Sequence, residues 1–244
     1  EVAPGGSLKI HGGTIKIQNK GAETKGAYAP SIMVEGYSGT ELVRGVAEIS
    51  GDAYSDFGSL WVNCGKVTAN GGTYHHAMVI SGGELEVING KFQGDVTVDD
   101  HASLVVGSNL AYFDGKLTFE SEGMGRLTNG YYKHIITKEA TLGKLSNNTL
   151  DVFYIGEDYQ PNAKNQSELK ADEGTYITIR KHKHDFSNSG TCVCGEKAEA
   201  YLWVNGPQQY GYFDDMLALA EEKDGSCVYL LKDVTIIRDT AVKK

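Results

Sequence analysis

Short segments in which apolar and polar residues alternate follow one another from the start of the chain to about residue 150. Examples are Ser7–Ile10, Glu84–Val87, Asp95–Val98 and Ser103–Val106. Side chains of a β-strand point alternately to its two faces, so this pattern predicts a series of short strands. Gly-Gly and Asn-Gly pairs separate the segments, and glycine tolerates the backbone angles that tight turns require. The pattern therefore indicates an all-β region with many turns.

A short motif, in which glycine is followed by one other residue and then an apolar one, recurs within this region. Its copies are Gly13-Thr14-Ile15, Gly72-Thr73-Tyr74, Gly83-Glu84-Leu85 and Gly90-Lys91-Phe92. Antiparallel hairpins would also use Asn-Gly turns, but hairpins impose no such recurrence. Stacked coils do, because each inward residue lies on its equivalent one coil away. The sequence therefore predicts a right-handed, single-stranded parallel β-helix with the architecture of pectate lyases.

The pattern changes twice along the chain, which predicts three regions. Residues 1–180 are expected to form the β-helix, residues 181–197 a connector, and residues 198–244 a strand-helix-strand segment that begins a following module. The helix is expected where Phe213, Met216, Leu217 and Ala220 fall at helical spacing before Gly225. Because the chain opens inside a strand pattern, we interpret it as a fragment of a longer protein.

Composition excludes two classes of partner. The net charge is -9, whereas nucleic-acid binding needs a basic surface, so we expect no nucleic-acid partner. No apolar run is long enough to span a bilayer, so we expect no membrane insertion. The chain has 31 glycines but only 4 prolines, which argues for a regular sheet with tight turns rather than a disordered tail.

Three features together resemble the glycine-rich β-helix modules of large extracellular proteins from Gram-positive Firmicutes. They are the word Gly71-Gly72-Thr73-Tyr74, the connector from His184 to Gly195, and the segment from Tyr201 to Ile237. The resemblance implies a secreted or cell-wall-associated protein whose neighbouring modules belong to the same parent chain, and it implies no reaction. The connector departs from the family pattern, because many members have Cys-x-x-Cys where this chain has Cys-x-Cys.

The main alternative is a polysaccharide lyase or glycoside hydrolase of the β-helix type. Such enzymes need clustered carboxylates for calcium or a pair of acidic residues for acid–base chemistry. The candidates are Asp99 and Asp100 beside His101, and Asp95 and Asp114 could join them only if neighbouring coils align. No Gly-His-Gly or Arg-x-Lys motif is present. We therefore expect a module without catalytic activity, in which these residues form solvated turns.

Aromatic side chains suggest a binding role instead, with a glycan or a host extracellular protein as partner. Aromatic rings combine apolar area with a polar group, which suits sugar rings, although the same residues could fill the coil interior. The module would then be an adhesin-like spacer or an accessory region of a secreted enzyme. The candidates are Trp61, Tyr112, Tyr131, Tyr132, Tyr154 and Tyr159.

The connector contains a candidate metal site formed by His182, His184, Cys192 and Cys194. Two nitrogens and two thiolates suit a structural zinc ion, which would hold a loop that has little core of its own. The single residue between the cysteines is a tighter spacing than usual for zinc. A Cys192–Cys194 disulfide, or groups that bind nothing, are the alternatives. Elsewhere, adjacent His75 and His76 are expected to point to opposite faces of a strand, and Cys64 to be a small buried residue.

Overall fold

The computed structural model describes residues 1–15, 31–38, 41–146, 151–181, 184–186, 189–192, 196–204 and 206–234. The chain divides into two compact units, Glu1–Lys181 and His182–Lys244. The boundary lies one residue beyond the predicted end of the β-helix.

The first unit is built almost entirely of strands. They are β1 (Ser7–His11), β2 (Ile32–Glu35), β3 (Tyr37–Ser38), β4 (Glu41–Leu42), β5 (Val46–Ser50), β6 (Ser59–Asn63), β7 (Lys66–Tyr74), β8 (His76–Ile80), β9 (Glu84–Phe92), β10 (Val96–Val98), β11 (Ser103–Val106), β12 (Ala111–Phe119), β13 (Met124–Leu127), β14 (Tyr131–Thr137), β15 (Asp151–Ile155), β16 (Asp158–Tyr159), β17 (Glu168–Lys170) and β18 (Ile177–Lys181). Two short 3-10 helices cover Leu142–Leu145 and Ala163–Asn165.

Parallel pairing between successive coils arranges these strands on three faces around a common interior. The first face contains β1, β5, the starts of β7 and β9, then β11 and β13. The second face contains the ends of β7 and β9 and the starts of β12 and β14. The third contains β2, β6, β8, β10 and the ends of β12 and β14. This is a β-helix of about 5 turns, which confirms the predicted fold.

The interior is formed by alternate residues of each strand, as the period-two pattern predicts. On the first face, Ala47, Val67, Leu85 and Leu104 occupy one register position on consecutive coils and are at most 1 % exposed. Their outward neighbours are polar or partly exposed. Burial of these aliphatic columns removes apolar surface from water, which stabilises the fold.

A ladder of aromatic rings lies inside the second face. Phe57, Tyr74, Phe92, Phe113 and Tyr132 follow one another on consecutive coils, with ring centroids 5.5, 4.8, 4.9 and 5.0 Å apart. Each ring is at most 1 % exposed. Offset-stacked rings at such distances stabilise one another by about 0.5–1.5 kcal/mol per pair beyond their burial. The ladder therefore fixes how the coils align.

The recurring glycine word accounts for two of the five ladder residues, Tyr74 and Phe92, and one of its copies lies elsewhere. Thr73 and Tyr74 pair with Lys91 and Phe92 on the adjacent coil. Thr14 forms an isolated parallel bridge with Asp56, the residue before Phe57. In contrast, Leu85 of Gly83-Glu84-Leu85 belongs to the first-face column. The glycine word therefore occurs at two different corners of the coil and does not mark a single repeated position.

Backbone crowding makes Gly72 necessary beside this ladder. Its φ of +79° is one that residues with a Cβ atom rarely adopt. A Cβ atom there would also lie 2.3 Å from Cε2 of Phe57. The Gly-Gly pair therefore permits the chain to turn while the Phe57 ring packs against the backbone.

The last coil ends in antiparallel strands. Strand β14 pairs with β17 and β18, and β18 pairs with β15, all in antiparallel orientation. The sequence predicted strands here, but the reversal of direction was not predicted. It covers the hydrogen-bonding edge of β14, which would otherwise be open to pairing with another chain.

The second unit contains a three-stranded antiparallel sheet and one helix. The strands are β19 (Ala200–Trp203), β20 (Gln209–Gly211) and β21 (Cys227–Leu230), in the order β20-β19-β21, and α1 covers Phe213–Glu221. Met216 and Leu217 are the buried residues of α1, as predicted from their spacing. The predicted strand at Val234–Ile237 lies outside the described residues except for Val234. In the part of the chain that the structure describes, no helix has the length and hydropathy needed to cross a bilayer.

Part of the predicted connector belongs to the core of this second unit. Phe186, Cys192 and Ala198 form a small buried cluster against which Tyr210 and Tyr212 pack. The helix begins where the Glu199 carboxylate accepts a hydrogen bond from the Phe213 amide at 3.1 Å. A carboxylate at this place stabilises the positive end of the helix.

Candidate functional site

Three tyrosines form an outward-facing group on the second face, here called the tyrosine patch: Tyr112, Tyr131 and Tyr176. Tyr112 and Tyr131 are register partners on β12 and β14, and their rings stack with centroids 4.7 Å apart and planes 8° from parallel. Tyr176 meets both rings edge-on, at 5.9 and 5.8 Å. Tyr112 is 36 % exposed, so a substantial part of the patch is open to solvent.

Asp114 holds the patch in place from the adjoining corner. One carboxylate oxygen accepts a hydrogen bond from the Tyr176 hydroxyl at 2.7 Å, and the other lies 3.0 Å from the Lys91 ammonium. Burial raises the pKa of Tyr176 to about 12, and the hydrogen bond and charge of Asp114 act in the same direction. Tyr176 therefore remains a neutral hydrogen-bond donor to Asp114 at physiological pH.

Lys133 completes the environment of Tyr176. Its ammonium lies 4.0 Å from the centre of the Tyr176 ring, a cation–π contact, and donates a hydrogen bond to the Thr175 carbonyl. Among the described residues, neither the Tyr112 nor the Tyr131 hydroxyl has a hydrogen-bond partner. The patch thus combines fixed rings with two hydroxyl groups that a ligand can reach.

A second pair of tyrosines lies further along the same outward column. Tyr131 is paired with Thr178, Thr178 with Tyr154, and Tyr154 with Tyr159. The Arg180 guanidinium stacks over Tyr154, 4.9 Å from the ring centre, and forms an ion pair with Glu157 at 3.2 Å. The hydrogen bond and charge of Arg180 lower the pKa of Glu157. Aromatic side chains therefore continue beyond the patch.

The remaining aromatic candidates lie elsewhere. Tyr132 is fully buried in the interior ladder, so it cannot contact a ligand and the prediction of a surface role is wrong for it. Trp61 is partly exposed on the third face, in a column between Met33 and Met78. The sequence does not identify Tyr176 as a site residue, because nothing in its local pattern indicates that it packs against Tyr112 of β12 and Tyr131 of β14.

The carboxylates considered for catalysis lie at two different corners. Asp95 and Asp114 are at the corner before the third face, whereas Asp99 and Asp100 follow β10 at the opposite side of that face. The backbone of Asp95 and Asp99 is separated by about 13 Å along the strand. Asp95 accepts a hydrogen bond from the Lys116 amide, and Asp99 from the Asp100 amide. The four carboxylates are therefore not brought together in one groove.

Asp100 and His101 meet Glu122 of the next coil. Their ligand atoms all lie within 4.8 Å of one another, and all three residues are exposed. His101 and Glu122 form an ion pair at 2.9 Å. A groove of about 670 Å3 adjoins Glu122, and in it Glu120 is paired with Lys138 at 2.9 Å. Glu120 is thus paired with a lysine of the protein itself, and Glu122 contacts a histidine ring.

The histidines and cysteines singled out from the sequence are only partly described. His75 forms an ion pair with Asp56 at 3.0 Å. Cys64 is buried, as predicted, and its thiol donates to the Ser81 carbonyl. Of the predicted zinc ligands, Cys192 is buried in the second unit and the His184 ring stacks on Phe186 at 5.6 Å. His182 and Cys194 lie outside the described residues, so the zinc site stays a prediction.

Comparison with known proteins gives no assignment. No family model, no curated protein and no solved structure matches the chain. The resemblance to Firmicutes β-helix modules therefore remains a prediction from the three sequence features that suggested it.

Proposed function

We propose that this chain is a non-catalytic β-helix module that binds a glycan through the tyrosine patch. The module would act as a spacer and binding unit of a larger secreted or cell-wall-associated protein, with neighbouring modules of the same parent chain on either side. The single observation that carries the proposal is the stacked Tyr112–Tyr131 pair, partly open to solvent and contacted edge-on by Tyr176.

The patch has the chemistry that sugar recognition needs. Sugar rings present C–H groups to aromatic surfaces and hydroxyl groups to polar side chains, and tyrosine supplies both surfaces at low conformational cost. The edge-on contacts of Tyr176 and its bond to Asp114 fix the two outer rings before any ligand arrives. Such preorganisation reduces the entropy lost on binding.

The regular coil stack supports the role of a spacer. Each coil adds about 4.8 Å of length while burying the same inward columns, so outward side chains recur at this spacing along the axis of the first unit. Side chains on its outward faces keep fixed separations, which suits a repeating polymer. A polysaccharide could therefore contact the patch and continue along the column towards Tyr154 and Tyr159.

Nothing in the described geometry favours the enzymatic alternative in the same way. A hydrolase needs two carboxyl groups within about 5–10 Å across the scissile bond. A lyase needs convergent carboxylates for calcium and a base beside the uronate. Here Asp95 and Asp114 lie at a different corner from Asp99 and Asp100, and Asp114 is paired with Lys91. Where Asp100 approaches Glu122, the Glu122 carboxylate contacts His101.

The test is binding of the intact chain to a panel of soluble polysaccharides, measured by calorimetry and affinity electrophoresis. We expect the double variant Tyr112→Ala, Tyr131→Ala to weaken binding by at least about tenfold, equivalent to roughly 1.4 kcal/mol. Tyr54→Ala is the matched control, because Tyr54 is 91 % exposed and lies outside the patch. Equal loss in both variants, or binding by neither wild type nor variant, would overturn the proposal.

A further inference from the structure

We infer that the tyrosine patch selects neutral glycans and discriminates against anionic polysaccharides such as polyuronates. The inference rests on the proposed function, since it names the ligand class of the same surface. It follows from the contacts that the cationic side chains near the patch make with other groups of the protein.

Lys91 is the lysine closest to the patch along its own column, and it is already neutralised. Thr73, Lys91, Tyr112 and Tyr131 occupy successive outward positions on the second face. The Lys91 ammonium lies 3.0 Å from the Asp114 carboxylate, which is only 25 % exposed. A uronate that approached Lys91 would meet the negative charge of Asp114, because the Lys91–Asp114 pair carries no net charge.

The other two cations, Lys133 at the patch and Arg180 beside Tyr154, also have partners in the protein, although only Arg180 is paired with a carboxylate. The Lys133 ammonium lies over the Tyr176 ring and donates a hydrogen bond to the Thr175 carbonyl, so two groups of the protein already contact it. Arg180 contacts both carboxylate oxygens of Glu157, at 3.2 and 3.3 Å, and donates to the Gly156 carbonyl. Each of the three cations thus has a partner already in place. Lys116 lies beyond the bulge of β12, at the start of its third-face segment, and is not part of this column.

The overall charge acts in the same direction. The chain carries a net charge of -9, so its mean field repels a polyanion at distances within the Debye length. A neutral glycan meets no such barrier. Its hydroxyl groups can bond with the Tyr112 and Tyr131 hydroxyls, which have no partner among the described residues, and its C–H groups can lie against the rings.

One substitution should remove this preference. Asp114→Asn retains an oxygen that can accept the Tyr176 hydrogen bond, yet it removes the charge that neutralises Lys91. We expect the variant to gain affinity for polygalacturonate by at least about tenfold at low salt. The gain is expected to disappear at high salt, and in the double variant Asp114→Asn, Lys91→Met. Asp100→Asn is the control, because it changes the net charge equally at a different corner.

The experiment compares a neutral β-glucan, mannan or xylan with polygalacturonate at low and high salt. Binding of wild type to a neutral polymer, with polygalacturonate at least about tenfold weaker and recovered in Asp114→Asn, supports the inference. Wild-type binding to polygalacturonate that is as tight as to any neutral polymer, and is lost in the Tyr112/Tyr131 variant, overturns the inference while leaving the proposed function in place. Absence of binding to every polymer overturns the proposed function itself.

Discussion

Tyr74 and Phe92 lie nearly parallel inside the β-helix, with ring centroids 4.8 Å apart and planes inclined by 13°. They stand at equivalent places on adjacent coils, between Phe57 and Phe113 of the same ladder. Tyr74 differs from these neighbours by a hydroxyl group that is buried and has no hydrogen-bond partner among the described residues. The ladder therefore contains one polar atom that its surroundings do not satisfy.

The unsatisfied hydroxyl group of Tyr74 predicts that Tyr74→Phe stabilises the protein. Removal of an unsatisfied buried hydroxyl recovers its desolvation cost, so we expect a gain of about 1 kcal/mol in the free energy of unfolding. Tyr132→Phe is the matched control, since its hydroxyl donates to the Asn129 carbonyl at 2.6 Å and its loss is expected to cost about 1 kcal/mol. Urea unfolding of both variants measures the difference. A loss of stability in Tyr74→Phe would show that a buried water satisfies the hydroxyl.

The fold could be predicted because stacked coils produce a recurring local pattern in the sequence. Alternation identifies the strands, and the recurrence of glycine before an inward residue identifies the coils. The recurrence thus matches Tyr74 with Phe92 correctly, but it groups them with Leu85, which lies on a different face. It does not include Phe57, because Asp56 and Phe57 follow no glycine, and only the three-dimensional stack reveals that Phe57 belongs to the ladder.

The site was less predictable, since it depends on contacts between distant parts of the chain. Tyr112 and Tyr131 could be named as surface aromatics, but their alignment depends on the parallel register between β12 and β14. Tyr176 arrives from an antiparallel strand pair whose direction the local pattern does not determine. Its bond to Asp114 also gives that carboxylate a positioning role, where the sequence suggests a solvated turn or a catalytic group.

A second prediction concerns the glycine corners. Gly72→Ala is expected to destabilise the protein by about 3 kcal/mol, because it adds overpacking against Phe57 to the strain of a positive φ. Gly82→Ala is the control, since its φ is +73° but nothing lies within 4 Å of the added Cβ. We expect it to cost only about 1 kcal/mol. Thermal unfolding of the two variants checks this prediction. Equal losses of stability would show that backbone strain alone determines the effect of both substitutions.

A third prediction concerns the ionisation of Tyr176. Its pKa of about 12 lies above the ordinary value of 10.0, so the folded state holds the proton more tightly than the unfolded state does. The stability that this provides is complete below pH 10 and is lost as the pH rises towards 12. We expect Tyr176→Phe to lose less stability than wild type across this window, as measured by urea unfolding. Asp114→Asn is expected to lower the pKa of Tyr176 in a tyrosine carbon NMR titration; an unchanged value would exclude Asp114 as a cause.

A fourth prediction follows from the separation of the carboxylates. We expect no release of unsaturated or reducing ends from polygalacturonate or pectin, with or without calcium. The reason is that Asp95 and Asp114 lie at a different corner from Asp99 and Asp100. Ultraviolet absorbance and a reducing-sugar assay measure the products. Turnover that Asp99→Ala and Asp100→Ala abolish, while Asp52→Ala at an unrelated turn does not, would contradict the assignment as a non-catalytic module.

The last prediction concerns the second unit and its hypothesis of structural zinc. A zinc ion bound by His182, His184, Cys192 and Cys194 would leave no open position for a substrate, so its role would be to stabilise a short segment. The cluster of Phe186, Cys192 and Ala198 buries little apolar area, which makes such added stability useful. The hypothesis predicts near-stoichiometric zinc, by elemental analysis, in protein purified without added metal. Cys192→Ser is expected to remove the zinc and lower the melting temperature of the second unit, whereas Cys227→Ser, at an exposed position, is expected to retain both. Zinc-free protein would exclude the site, and titration of both connector thiols in that protein would exclude the Cys192–Cys194 disulfide as well.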